Sequence, residues 1–292
     1  MLLDAFIADK KKLVEQRLKQ LASSSSIPET LGKAIMYSID AGGKRLRPVL
    51  LLAVMETFGC KSEKGLDTAC AIEALHTYSL IHDDLPSMDN DDYRRGKLTN
   101  HKVFGEAFAI LAGDALLTMS FSFIMDDSSL TSDEKVKVAA LLSKSAGPLG
   151  MVAGQAEDME AEGAELTADQ LQSIHEKKTG QLLQCSVLAG GILSGASDQE
   201  LKHLKAYAHA IGIAFQIKDD ILDVTGDEAT IGKPVGSDEA NNKTTYPKLF
   251  GLEGAKKELT RYIGLAKKEL SEIGHDTRVL EQLADYIIAR NH

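Results

Sequence analysis

Apolar residues recur at three- and four-residue intervals along almost the whole chain, and no segment alternates apolar with polar residues under β-branched enrichment. That pattern leaves an all-α fold. Phe6, Leu13, Val14, Leu18 and Leu21 form a first stripe, ended by a serine run and Pro28. Leu31, Ile35 and Ile39 form a second, ended at Gly42-Gly43. Pro48 opens a predicted helix over 49–58 that Gly59 stops. A longer one runs from about 65 to 84, where Pro86 halts it. Further helices are predicted over 104–125, 136–145, 150–162, 168–193, 199–224, 254–272 and 277–290. The one long irregular stretch, 225–247, is rich in Gly, Asp, Asn and Lys, and a loop that long in a compact domain usually carries function. With no internal repeat and no linker, residues 1–292 read as one domain.

Two of the predicted helices end in aspartate clusters: His82-Asp83-Asp84-Leu85-Pro86-Ser87-Met88-Asp89 and Lys218-Asp219-Asp220-Ile221-Leu222-Asp223. Each follows residues that should be buried, and carboxylates held so close together need a compensating cation. At about 100° per residue, Asp219 and Asp223 share a face with Gln216 beside them, while Asp220 flanks that stripe. His76 and Asp83 point nearly the same way, with Ser79 between them. Asp89 lies beyond Pro86 and must act from a loop. All-oxygen ligation of this kind suits Mg²⁺, which pairs one or two carboxylates with substrate phosphates.

Cations lie close to both clusters in sequence. Gly42-Gly43-Lys44-Arg45-Leu46-Arg47-Pro48 sets three positive side chains around a flexible turn at a helix start, a natural anion site. Arg94-Arg95-Gly96 follows the first cluster; Lys177-Lys178-Thr179-Gly180 and Gly232-Lys233-Pro234 add more. Any one alone would be an ordinary surface charge. Two diphosphates would bring roughly six negative charges to the six motif aspartates, so such an assembly requires cations. About three Mg²⁺ with the lysines and arginines would balance it.

Composition closes other routes. A formal net charge of −10 leaves no basic surplus for a nucleic-acid backbone. Cys60, Cys70 and Cys185 show neither zinc-type spacing nor an even disulfide framework, which favours a reducing cytosol. The amino-terminal order of apolar, acidic and then basic residues is wrong for a signal peptide. No apolar stretch reads as membrane-spanning, so the expectation is a cytoplasmic protein without stable membrane insertion.

The combination of Gly42–Pro48, Asp83–Asp89 with Arg94-Arg95-Gly96, Gly113-Asp114-Ala115-Leu116, Gly154-Gln155, Lys178-Thr179-Gly180 and Phe215-Gln216 leading into Asp219–Asp223 resembles the trans-prenyltransferases, the isoprenyl diphosphate synthases, over nearly the whole chain. The likeness is strongest to their bacterial short-chain members. It implies a helical bundle around a deep central cavity, a homodimer, and Mg²⁺-dependent condensation of isopentenyl diphosphate with dimethylallyl and geranyl diphosphate to (2E,6E)-farnesyl diphosphate. A twenty-carbon geranylgeranyl product is the alternative. By the same likeness Asp83, Asp84, Asp89, Asp219 and Asp223 are metal ligands or their close supports. Arg94, Lys178, Lys233 and, less directly, Lys243 would grip the allylic diphosphate. Lys44, Arg47, His76 and Arg95 would hold isopentenyl diphosphate. Thr179 and Gln216, with Lys178, would face the developing cation. Tyr78, five residues before the first aspartate, would form the floor that sets product length, about 7–8 Å below Asp83, with Ser79 and Leu75 nearby. On a straight helix Tyr78 points well away from Asp83, and Ser79 points towards it.

Glu73-x-x-His76 and Glu200-x-x-His203 also match the pairs of di-iron helical bundles, but with eight histidines such a match arises readily by chance. A terpene cyclase would replace the second aspartate motif with an Asn/Ser/Glu one. A catalytically silent partner subunit would not need both motifs intact.

Overall fold

The computed structural model describes residues 3–226 and 243–290. They group into two compact units, Met1–Glu56 with Cys60–Ala140, and Thr57–Gly59 with Leu141–His292. The first unit holds α1 (Leu3–Ala22), α2 (Glu29–Asp40), α3 (Leu46–Thr57), α4 (Ser62–Asp83), α5 (Asn100–Phe104) and α6 (Glu106–Met125). The chain passes to the second unit within α7 (Ser132–Ala146). There follow α8 (Met151–Glu160), α9 (Ala168–His175), α10 (Gln181–Leu193), α11 (Asp198–Thr225), α12 (Tyr246–Ser271) and α13 (Arg278–Ala289). The protein is all-α, as the apolar period predicts.

In the first unit α4 is enclosed on nearly every side, with every residue from Gly65 to Leu75 buried. Leu66, Ala69, Ile72 and Leu75 are buried, and α1, α2 and α6 pack on it. Arg17 of α1 donates to both oxygens of Asp67 on α4, at 2.6 and 2.7 Å. Two departures from the predicted pattern matter. The first is a hairpin, β1 (Tyr93–Arg94) against β2 (Lys97–Leu98), whose two-residue strands are too short to show alternation. Its turn residues Arg95 and Gly96 both have positive φ, 54° and 73°, the geometry that joins two strands most tightly. The second is α6. The expectation that no stretch is long and apolar enough to cross a membrane does not hold for this 20-residue helix, in which Asp114 is the one charged residue after Glu106. Part of that helix packs on α4 instead.

In the second unit the helix predicted over 168–193 is interrupted. Between α9 and α10 the backbone widens into a π-helical turn, Glu176–Gly180. Such turns leave one residue out of α register and often mark functional sites. Glycines seat it from both sides. A Cβ on Gly154 of α8 would fall 2.2 Å from the backbone nitrogen of Lys178, and one on Gly212 of α11 would fall 3.2 Å from Cα of Gly180. α11 starts with a capping box, Ser197 with Glu200. α12 starts earlier than predicted, because Thr245 caps it and Pro247 enters its first turn, where a missing N–H costs nothing. Gly251, at φ 69°, kinks it. Most of the irregular stretch 225–247 lies outside the described residues.

Candidate active site

In the first unit Asp83 is the last residue of α4 and Asp84 its C-cap. The following loop folds back so that the Asp89 N–H donates to the Asp83 carbonyl at 2.8 Å. Asp83 is partly exposed and Asp89 exposed, whereas Asp84 is buried. Arg94 Nε donates to Asp84 Oδ1 at 2.6 Å, and Asp91 lies 3.5 Å from the same guanidinium. Burial pushes the Asp84 carboxyl above its usual range, and the Arg94 hydrogen bond only partly offsets this. Two residues expected to serve metal and diphosphate separately are thus paired with each other.

The basic loop takes its shape from unusual backbone. Gly42, Gly43 and Arg45 have φ of 75°, 140° and 52°. The Arg95 guanidinium reaches over the turn, donates to the Gly42 carbonyl and lies where a Gly43 Cβ would be, 2.6 Å from its Cζ. Arg45 is not a surface charge at all. Its Nη1 donates to Glu73 at 2.8 Å with both side chains 1% exposed, and its Nη2 donates to the Ile39 carbonyl. This buried pair fixes the loop that carries Lys44 and leads into Arg47 at the start of α3. Nearby, burial and then the charges of Arg47, Arg95, Arg45 and Arg94 hold His76 well below the usual histidine range, so it is neutral.

Tyr78 is buried, with its ring edge-on to His82 at 5.2 Å, while His82 approaches the Ile110 carbonyl of α6 at 3.1 Å. Tyr78 therefore sits with the residues of the α4–α6 contact, in accord with the straight-helix direction. α4 is helical throughout, so no bend redirects it. Leu75 is fully buried, and Ser79 donates back to the His76 carbonyl. Asp114, which the resemblance places in a family motif, is exposed.

In the second unit the π turn presents two consecutive lysines to two consecutive acids of α8. Lys177 pairs with Glu157, and Lys178 Nζ donates to Asp158 Oδ2 at 2.7 Å. Against the cost of burial, Lys178, Lys243 and His175 keep the Asp158 carboxyl below its usual range. Burial depresses His175 to about 4. Asp158, His175, Lys178 and Lys243, with Thr179 and Gln216, line an open cleft of about 150 Å³. Asp219 and Asp223 follow on the same helix. Asp220 is buried at the edge of that cleft and accepts from the Tyr246 N–H at 2.9 Å, which anchors the start of α12. Asp219 Oδ1 accepts from Arg290 Nη2 at 2.8 Å. Lys233 lies outside the described residues.

Local spacing shows neither the Arg45–Glu73 anchor nor the contacts of Arg290 and Asp158. The di-iron pattern dissolves: Glu73 is committed to Arg45, Glu200 caps α11, and His203 meets Glu269 at 2.9 Å. Among the described residues no three potential ligands converge on one point. The donors offered in both clusters are carboxylate oxygens, which fits Mg²⁺ completing its shell with water and phosphate.

Two long helices, α4 and α11, each ending in aspartates matched to nearby cations, define an all-α protein built to handle strongly anionic ligands. The chain belongs to the polyprenyl synthetase family, whose model matches residues 28–283. A farnesyl diphosphate synthase of Geobacillus stearothermophilus is 50% identical over 99% of this chain and 98% of its own length. One from Bacillus subtilis (strain 168) is 48% identical over 99% of both. Among solved structures, a geranylgeranyl pyrophosphate synthetase from the archaeon Geoglobus acetivorans matches with a TM-score of 0.88 at 31% identity, over 99% of each chain.

Proposed function

We propose that this chain is a prenyltransferase that condenses isopentenyl diphosphate with dimethylallyl and then geranyl diphosphate, releasing diphosphate and ending at (2E,6E)-farnesyl diphosphate. The observation that carries this reading is the repeated arrangement at the ends of α4 and α11, carboxylates with their own basic partners, joined to a Lys178-Thr179 turn held open by π geometry. Relatives of about the same length that carry the farnesyl diphosphate synthase name support it. We take residues 1–292 to act as one catalytic domain, since the family match spans both units.

Arg94, Lys178 and Lys243, with Lys233, bind and orient the allylic diphosphate. Lys44, Arg47, Arg95 and the neutral His76 hold isopentenyl diphosphate, His76 by hydrogen bonding instead of charge. Asp83, Asp89, Asp219 and Asp223 would hold about three Mg²⁺, with Asp84 as a support through Arg94. When bound, the metal supplies Lewis-acid stabilisation of the departing diphosphate. The allylic C–O bond ionises, and the oxygens of Thr179 and Gln216 face the positive carbon. The double bond of isopentenyl diphosphate, held in line, attacks that carbon, and the released diphosphate takes the proton. No protein nucleophile is required. Tyr78 sets the product floor; its place against His82 and α6 also favours a second reading, a twenty-carbon product, in which the floor lies deeper.

A second copy of the chain is the natural cover for α5 and α6, where Val103, Phe108, Ile110 and Leu111 are 36–50% exposed. Free Cys60, Cys70 and Cys185 accord with a cytoplasmic setting.

Product analysis tests the activity: purified chain, Mg²⁺, labelled isopentenyl diphosphate and each of dimethylallyl, geranyl and farnesyl diphosphate. A C15 end point abolished by EDTA is expected. C20 or longer products select the second reading, and absence of any condensation sinks both.

A further inference from the structure

Arg290, the residue that follows α13, is tied to α11 by three contacts. Its guanidinium lies 3.8 Å from the Phe215 ring centroid, donates to the Phe215 carbonyl at 2.7 Å and bonds Asp219 Oδ1 at 2.8 Å. Phe215 and Asp219 are one helical turn apart, so a single planar group spans them along the same face. The arginine side chain is 1% exposed and the aspartate 42%. Nε and Nη1 of Arg290 are buried and have no hydrogen-bond partner among the described residues. Leaving buried donors idle is costly, so the arrangement is poor as a purely structural pair.

We propose that Arg290 is the resident counter-ion of Asp219, withholding a divalent cation from the second aspartate cluster until a diphosphate arrives. This rests on the reading of Asp219 as a metal ligand. Because stacking and the Phe215 carbonyl anchor the guanidinium independently of Asp219, it stays in place when the carboxylate is asked to bind a metal. A divalent ion there would stand a few ångströms from a fixed positive charge, a repulsion of kcal/mol size even at a high effective dielectric. A diphosphate, with roughly three negative charges, reverses that balance. Metal and diphosphate then enter together, and the empty protein does not fill its second cluster with metal alone. Arg290 acts through Asp219 and is a positioning residue.

The test is Mn²⁺ affinity, read as protein-bound Mn²⁺ by equilibrium dialysis of the full-length chain, with and without inorganic pyrophosphate on both sides of the membrane. Arg290→Gln removes the charge, and Arg290→Lys keeps it. Without pyrophosphate, wild type and R290K should bind weakly and R290Q about tenfold or more tightly; adding Asp219→Asn to R290Q should erase the gain. With pyrophosphate, wild type should tighten and the gap narrow. Equal affinities for wild type and R290Q without pyrophosphate overturn the proposal, as does R290K behaving like R290Q. If R290Q does not fold by circular dichroism, wild type decides alone: failure of pyrophosphate to tighten its Mn²⁺ binding overturns it. Condensation by wild type is assayed separately. A chain that shows the R290Q gain yet condenses nothing keeps this inference and loses the activity.

Discussion

Lys178 Nζ lies 2.7 Å from Asp158 Oδ2, an ion pair that joins the π turn to α8 and leaves both side chains about one-quarter exposed. The aspartate fixes where the ammonium points before any ligand arrives. Lys178→Ala should lower kcat/KM for the allylic diphosphate by roughly 100-fold or more, in line with losing a charge aimed at the reacting group. Asp158→Asn keeps the ammonium but loosens it and should show a smaller loss, on the order of tenfold. Steady-state kinetics on both variants decides this; equal losses would mean Asp158 does more than position Lys178.

The two adjacent aspartates of the first cluster should separate stability from chemistry. Asp84→Asn leaves Arg94 without its buried partner, at a cost of about 1–3 kcal/mol once the arginine's partial exposure is allowed for. Asp83→Asn, at a partly exposed helix end, should stay within about 0.5 kcal/mol of wild type while losing most activity. Thermal melts beside activity assays test the pair. Similar melting losses for both would refute the distinction.

Much of this was legible in the chain itself. The 3.6-residue period gives α1, α4, α6 and α11 because each buries a broad stripe, and the clusters at the ends of α4 and α11 stand out because charge interrupts apolar runs. What stayed hidden has physical causes. A π turn shifts register by one residue, which apolar spacing over 168–193 cannot reveal because α9 is short and α10 is buried on nearly every side. The Arg45–Glu73 pair links residues 28 positions apart, and Arg290 meets Asp219 from a distant helix. Neither leaves a local pattern. The one available signal was the Gly42-Gly43 pair just ahead of Arg45, a turn that needs an internal anchor.

Gly154→Ala should be severe for a small change. The added methyl would meet the Lys178 nitrogen at 2.2 Å and its Cα at 2.6 Å, backbone atoms that cannot step aside. Overpacking of this kind costs about 1–3 kcal/mol, occasionally more, and here should lower the melting temperature by several degrees. Gly264→Ala, where an added Cβ meets nothing, is the control. Matching melting curves for the two would contradict the close approach.

Acid should destabilise the protein from near neutrality downwards. His175 titrates at about 4 in the folded chain because burial disfavours its charged form, against about 6.5 when unfolded. Between those values the unfolded state holds more protons, so stability falls as pH drops from about 6.5 to 4. His76, lowered well below its usual value, adds in the same direction, and Asp158, also lowered, extends the loss further into acid. Chemical denaturation at pH 7, 6 and 5 checks this. His175→Gln should flatten the slope, and an unchanged slope would count against His175 as a source.

Tyr78→Ala should release products longer than C15 if Tyr78 is the floor. A variant that still ends at C15 would place the floor elsewhere and leave Tyr78 as packing for His82.

A π turn is, in effect, one surplus residue absorbed without a break in the helix. Glu176–Gly180 therefore makes α9 and α10 two reading frames of the same rod, with Lys178 and Thr179 at the splice. Removing one residue there would heal the helix into a regular spiral and leave its circular dichroism intact. Everything on the α9 side would then turn by about 100° relative to α10. Such a chain would be better formed by every measure of secondary structure and would have lost the alignment on which its lysine depends.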